Sequence, residues 1–277
     1  MTKYLVNDDI NLELLFCTEI LKLKSLHYGY WKNGEELTLK NARKAQERYT
    51  ETLLSMIPKD VKYVLDVGSG IGDNARAMAK TGLKIAAISP DKVHKKYFEN
   101  YNNENIKFHN VSFQNFKTKK KFDMFLLSES QTYFDPVITF KQCNKYLKEG
   151  GYLLISDIFN LTQNNGMNAV KCTSEEYVEN AQGYNLKLIT SVDITKEVIP
   201  TIQMAHNIYN EHFVPGMKIA DNYLKANSAV NYFLLKLFFR KQWKKFSKIN
   251  KYYRERLNID YFRENMEYRR LLFRHKN

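Results

Sequence analysis

Short apolar runs alternate with amphipathic stretches along the first 196 residues, and the pattern changes beyond them. Residues 10–24 (INLELLFCTEILKLK) predict an apolar-rich helix, followed by a turn-like aromatic cluster, His27-Tyr28-Gly29-Tyr30-Trp31. Within residues 38–57, Ala42, Ala45, Tyr49, Leu53 and Met56 recur at spacings of three and four, which marks one face of a helix, and Pro58 ends it. Tyr63–Val67 has the pattern of a short buried strand, and Gly68-Ser69-Gly70-Ile71-Gly72 and a helical stretch from Asp73 to Lys80 follow it. Further strand patterns at 83–89, 106–111, 122–128, 152–159 and 186–194 alternate with helical patterns at 92–101, 139–148 and 174–181. Gly150-Gly151 reads as the break between the helix over 139–148 and the next strand.

Alternating β and α segments of this length predict an α/β chain built on a doubly wound, mostly parallel sheet. Residues 197–262 show helical periodicity and few strand signals, whereas 266–276 (MEYRRLLFRHK) reads as a strand returning to the sheet. The expected organisation is one domain over 1–277. It has an N-terminal helical entry segment (1–60), a ligand-binding core (61–196), a helical cap inserted before the last strand (197–262) and the returning strand (263–277).

Composition supports a packed chain: 44% of the 277 residues are hydrophobic, enough for a sizeable core. With 11 Gly, 5 Pro and no Gly/Ser-rich linker, nothing marks a boundary between independent domains. Cys17, Cys143 and Cys172 have no metal-ligand spacing, which argues against a zinc site or disulfide framework and fits a reducing cytoplasm. Met1 to Ile10 carries Asp8 and Asp9 and no apolar run of signal-peptide length. No stretch of about 18 uncharged apolar residues predicts a transmembrane helix. The net charge of +13 is unevenly placed. From Thr201 onward lie 16 of the 43 Lys and Arg but only 6 of the 30 Asp and Glu, so the basic character belongs to the C-terminal part.

The strand–glycine loop–helix unit at 63–80 carries the chemistry. Its glycines let the backbone approach a ligand closely, with amides at the helix N-terminus facing it. The dinucleotide pattern G-x-G-x-x-G requires glycine at position 73, where this chain has Asp73, so NAD and FAD are disfavoured. No Gly-Lys-Ser/Thr follows, which excludes a P-loop.

The segment VLDVGSGIG resembles motif I of the class I S-adenosylmethionine-dependent methyltransferases. FDMFLLSES resembles that family's fourth strand, and LKEGGYLLISDIF its glycine pair and fifth strand, so the resemblance covers about residues 25–195 plus the final strand. It implies a Rossmann-like, seven-stranded sheet, S-adenosylmethionine as cofactor and methyl transfer as the reaction. It also implies that Gly68, Gly70 and Gly72 line the methionine and ribose part of the cofactor. Asp66 would then support the loop, through water or the cofactor's ammonium group, or else cap the loop amides. Most of the family ends strand two with an acid that binds the ribose. The matching position is read here as Ala87, so Ser89 or Asp91 becomes the candidate. The usual acidic contact to adenine after strand three is also missing, which makes Phe113 a candidate to stack on adenine, or simply a core residue.

HYGYW, with Ala45-Gln46 in the following helix, resembles the entry segment of small-molecule methyltransferases of the tocopherol, coclaurine, sarcosine and cyclopropane fatty acid groups. The resemblance implies that Tyr28, Tyr30 and Trp31 close over the sulfonium, a cation that aromatic faces attract; alternatively they staple a helix to the core. Loops after the carboxyl ends of strands carry the ligand in such sheets. Ser128-Glu129 stands in one of them, with Ser128 a candidate cofactor contact. Glu129 matches the position where the coclaurine and cyclopropane groups place a functional glutamate. It is a candidate base or nucleophile-orienting group, or a contact to the entry loop only. His27 and Tyr28 are further catalytic candidates, with Tyr133, His206 and His212 behind them. Methyl transfer is an in-line displacement that depends mostly on alignment, and a base is needed only where the nucleophile must lose a proton.

Residues 231–256 (NYFLLKLFFRKQWKKFSKINKYYRER) interleave Phe233, Leu237, Phe238, Trp243, Phe246, Ile249 and Tyr253 with Lys236, Arg240, Lys241, Lys244, Lys245, Lys248 and Lys251. Three readings compete: a cap helix with a solvated basic face, docking on an anionic membrane to reach a lipid, and nucleic-acid contact. Phe134-Asp135-Pro136-Val137 lacks the tetrad of amino-methylating DNA enzymes, and Cys143 stands in Gln-Cys-Asn rather than Pro-Cys. The leading expectation is methylation of N, O or C on a small or lipid-like acceptor. The alternatives are an RNA methyltransferase that uses the basic cap and a non-catalytic cofactor-fold module.

Overall fold

A computed structural model describes residues 6, 7, 10–99, 101, 103–163, 170, 172–238, 240, 241, 244, 248 and 257–276. Seven strands form one sheet: β1 (Tyr63–Val67), β2 (Lys84–Ile88), β3 (Ile106–His109), β4 (Phe122–Ser128), β5 (Leu147–Asn160), β6 (Leu186–Asp193) and β7 (Met266–His275). Their order is β3-β2-β1-β4-β5-β7-β6. All neighbours are parallel except β7, which runs antiparallel to both β5 and β6. The sheet is thus the seven-stranded, mostly parallel one the sequence predicts.

Helices cover both faces, as a parallel sheet requires. On one face, α1 (Leu39–Leu54), α2 (Asp73–Lys80) and α3 (Lys92–Glu99) bury Tyr49, Leu53, Ala75, Met78 and Phe98 against Val64, Ala87 and Leu126. On the other, α4 (Pro136–Tyr146) and α5 (Ser174–Gln182) bury Phe140, Cys143, Tyr146, Tyr177 and Ala181 against Leu65, Phe125 and Phe273. Thr38 caps α1 by accepting from the Asn41 amide, and Asp135 caps α4 in the same way from Val137. α5 starts with a capping box between Thr173 and Glu176.

Between β6 and β7 the chain is helical: α6 (Thr195–Asn207), a π-helical turn (Ile208–Phe213), α7 (Val214–Asn227), α8 (Ala229–Phe238) and α9 (Ile259–Asn265). Val198 and Ile202 of α6 and Phe262 of α9 join the core below the sheet. Of the aromatic and basic positions read at 231–256, Trp243, Phe246, Ile249, Tyr253, Lys245 and Lys251 lie outside the described residues.

Two boundaries differ from expectation. The first helix is short, Leu12–Leu15 continued by a π-helical turn to Ile20, so most of residues 21–38 run without regular structure. β5 begins at Leu147 rather than at 152, and Gly150-Gly151 lie inside it. The pairing register with β4 shifts between Phe122 and Met124, and Gly150 adopts a φ of +69°, so the pair marks a strand irregularity instead of a helix break.

The irregular stretch is nevertheless pinned. Thr201 on α6 accepts hydrogen bonds from the Gly29 amide (3.0 Å) and the Trp31 indole (2.8 Å), and the Trp31 amide donates to the Glu197 carbonyl (3.0 Å). Gly29 passes so close to α1 that a Cβ there would lie 2.7 Å from the Ala45 Cβ. Thr201→Val, which keeps the volume and removes the acceptor, is expected to cost about 1–3 kcal/mol of stability. Urea unfolding, with limited proteolysis at residues 21–38, measures it.

Candidate active site

The loop after β1 is built by left-handed glycines. Gly68, Gly70 and Gly72 have φ of +71°, +53° and +85°. At Gly68 a side chain is excluded twice, by the backbone angle and by the Ser130 Cβ, which a Cβ there would meet at 2.5 Å. That approach joins the mouths of β1 and β4, and the Ser130 hydroxyl locks it by donating to the Val67 carbonyl at 2.7 Å.

Asp66, at the end of β1, is buried, and its Oδ2 has no hydrogen-bond partner among the described residues. Burial, then the charge of Asp73, pushes its pKa up to about 8. A buried carboxylate oxygen left unpaired beside a glycine loop is a site for a donor from outside the chain. The arrangement fits a cofactor that carries an ammonium group, as S-adenosylmethionine does.

The entry segment folds over this loop. His27 is buried and stacks on Tyr49 with ring centroids 4.4 Å apart. Its Nδ1 donates to the Tyr28 carbonyl at 2.7 Å, while Nε2 lies 2.8 Å from Asp73 Oδ2 and 3.1 Å from the Thr50 hydroxyl. Burial opposes the imidazolium, but the Asp73 carboxylate and, behind it, Glu129 hold the His27 pKa above its ordinary value. Burial likewise opposes charge on Asp73, and the His27 charge with hydrogen bonds from His27 and Ser25 keeps its pKa low. The expectation of His27 as a base is therefore corrected: both ring nitrogens are engaged, so it latches the segment to α2.

Glu129 stands just past the end of β4 with a φ of +56°. Its Oε1 accepts from the Tyr28 amide (2.7 Å) and the Tyr268 hydroxyl (2.9 Å). Oε2 has no partner among the described residues, and the residue keeps partial exposure. Burial lifts its pKa to about 7 against the pull of His27 and the Tyr28 amide. Ser128, the neighbouring cofactor candidate, lies 3.1 Å from the Tyr49 hydroxyl.

Below Glu129 lies a polar network that sequence reasoning missed. The Tyr49 hydroxyl meets Tyr268 (2.8 Å) and donates to Ser156 (2.7 Å), while buried Arg270 donates to Thr52 (2.9 Å) and the Tyr49 carbonyl (3.0 Å). The Arg270 guanidinium lies 4.7 Å from the Tyr49 ring centre, and half-buried Tyr30 covers it at 5.9 Å. Only the antiparallel register, which sets Ser156 opposite Arg270 and Ile158 opposite Tyr268, brings these residues together. The one sequence signal is an arginine and a tyrosine two apart at the start of an apolar strand. Buried Asp157 caps the turn after β4 by accepting from the Gln131 amide at 2.8 Å.

Two further expectations, for Trp31 and Phe113, are corrected. Trp31 is buried with Ala42, Ala45 and Met204, its N–H committed to Thr201, so it anchors the segment to α6 and does not face the glycine loop. Phe113 is buried against Phe125 and Phe134 in the core on the α4 and α5 side, which leaves no face for adenine. Ala87, read as matching the ribose acid, pairs with Asp66 inside β2 and is fully buried, and the candidate Ser89 follows just past the strand end. The Ser89 hydroxyl, however, pairs with His94 Nδ1 (2.8 Å) and accepts from the Asp91 amide (3.2 Å). Among the weaker candidates, Tyr133 is exposed and His206 is bonded to the Leu257 carbonyl.

A carboxyl whose folded pKa is raised costs the unliganded fold nothing below its ordinary value of 3.8 and destabilises it as pH rises through about 8. A cationic ligand needs the ionised form. Affinity for S-adenosylhomocysteine is therefore expected to climb by up to about tenfold per pH unit between about pH 6 and pH 7.5, and to become nearly flat in Asp66→Asn. Titration calorimetry at the two pH values reads both effects.

A family model described as a methyltransferase domain matches residues 41–195. A search of curated protein sequences gave no match. Among solved structures, a Galdieria sulphuraria protein assigned as a sarcosine dimethylglycine methyltransferase is similar at a TM-score of 0.71 and 16% identity, with 95% of this chain and 98% of that one covered. Coclaurine N-methyltransferase bound to N-methylheliamine and SAH gives 0.69 at 15% identity, covering 97% of this chain and 80% of that one. The [4+2]-cyclase SpnF gives 0.65 at 16% identity, covering 98% and 97%. The chain belongs to the methyltransferase-domain family.

Proposed function

We propose that the acceptor is a small, hydrophobic or lipid-like molecule whose nucleophilic N, O or C sits against Glu129. The observation that carries this reading is the enclosure of the site. Residues 25–28 lie across the glycine loop through the Ser25 and His27 contacts to Asp73, the Tyr28 contact to Glu129, and Leu26, which comes within 4.0 Å of where a Gly70 Cβ would lie. A folded RNA or a DNA duplex needs an open face at the reacting centre, whereas a small acceptor does not.

S-adenosylmethionine, when bound, supplies the methyl group on a sulfonium. Asp66 and the loop amides would hold its amino acid end, and Tyr28 offers an aromatic face to the cation. With the acceptor against Glu129, its nucleophilic electron pair would lie in line with that methyl group, and these residues would supply the alignment. Where the nucleophile must lose a proton, Glu129 Oε2 receives it. With a pKa near 7 the residue is ionised in about half the molecules at neutrality.

Micromolar binding of S-adenosylmethionine, lost in Gly70→Arg, is expected by calorimetry; no binding at millimolar cofactor would overturn the assignment of this site. With an acceptor found by screening amines and lipids, kcat is expected to rise through an apparent pKa near 7 and to fall about a hundredfold in Glu129→Gln. An unchanged kcat in that variant would remove the base from the mechanism.

A further inference from the structure

The helices α7 and α8 present apolar side chains to solvent on a scale that the rest of the described surface does not match. On α8, Val230, Phe233, Leu234, Leu237 and Phe238 are 69%, 65%, 41%, 56% and 77% exposed. Their spacing places them on one helix face. On α7, Ile219 and Tyr223 are 70% and 68% exposed. The two helices are fixed to one another: buried Tyr232 donates its hydroxyl to Asp221 at 2.6 Å, and the Lys236 ammonium lies 4.5 Å from the Tyr232 ring centre. The protruding residues are therefore the outer face of a packed pair. Single exposed apolar residues are ordinary, but a contiguous stripe marks an interaction site.

Charge identifies the occupant. Lys236, Arg240, Lys244 and Lys248 recur every four residues and are exposed, and Lys218, Lys225 and Lys241 are exposed as well. From Thr201 onward basic residues outnumber acidic ones by 16 to 6. A partner that accepts both phenylalanines in its interior and a basic row at its edge is an anionic lipid bilayer: the rings enter the acyl boundary while the ammonium groups stay among the head groups. No helix of the described residues is long and apolar enough to cross a membrane, so the contact is made in the interfacial plane. A nucleic acid would use the basic row but has no place for the exposed stripe.

We infer that α8, with the adjoining end of the cap, docks the enzyme on the surface of an anionic membrane. This surface serves the lipid-like acceptor proposed above, and its evidence is separate from that of the methyl-transfer site. Flotation of the full chain with vesicles is the test. Binding is expected to vesicles of phosphatidylcholine containing phosphatidylserine and not to phosphatidylcholine alone, and to weaken with salt. It is expected to drop at least about tenfold in Phe233→Ser/Phe238→Ser and in Lys236→Glu/Arg240→Glu/Lys244→Glu. These positions are exposed, so cofactor titration of both variants is expected to match the parent. Equal partition to both vesicle types, no partition to either, or a serine variant that binds as the parent does would overturn the proposal. So would a dimer by light scattering that the serine variant dissolves, which would assign the face to a second copy. Cofactor titration of the same samples separates the readings: lost flotation with intact cofactor binding leaves methyl transfer standing, and the converse leaves membrane docking standing.

Discussion

A single hydrogen bond, from the Tyr28 amide to the Glu129 carboxylate at 2.7 Å, joins the irregular N-terminal segment to the mouth of the sheet. The partners lie 101 residues apart in sequence. Glu129 is kept in a left-handed backbone conformation that non-glycine residues seldom adopt, and the strain is supported by its amide bond to the Ser156 carbonyl and by the two donors on Oε1. Tyr28 in turn is fixed between the His27 latch and the Gly29 close approach to α1. The site is closed because these constraints agree.

The surrounding charges follow one rule with one exception. Taking a charge out of water is costly unless it is paired and fully hydrogen-bonded. His27 has Asp73, Arg270 has three oxygen acceptors and the Tyr49 ring, and Asp157 has backbone amides. Asp66 is left with an unpaired oxygen and stays largely protonated below about pH 8. The exception sits beside the three left-handed glycines, where no donor among the described residues meets that oxygen. Asp157, by contrast, accepts from the Gln131 amide through one oxygen and from the Ile158 amide through the other.

The comparisons set the limit of what this architecture says. A cyclase and methyltransferases share it at 15 to 16% identity. The sheet and the glycine loop are therefore a platform that does not by itself fix the acceptor.

Local pattern determined most of the architecture. Runs such as YVLDV and FDMFLLS have one stable use, as central strands buried on both faces, and the glycines of GSGIG are required by close approach and positive φ; both are properties of short segments. The sequence therefore revealed the sheet and the loop. What it did not determine is side-chain direction across distance. Trp31 looked like a lid residue but turns toward α6, because Thr201, far along the chain, offers its indole an acceptor. Phe113 looked like an adenine platform but finds Phe125 and Phe134. The network of Tyr49, Ser156, Tyr268 and Arg270 arises where β5 and β7 pair antiparallel. Hydrogen bonding and burial between segments up to 221 residues apart are settled by packing, and no local pattern encodes them.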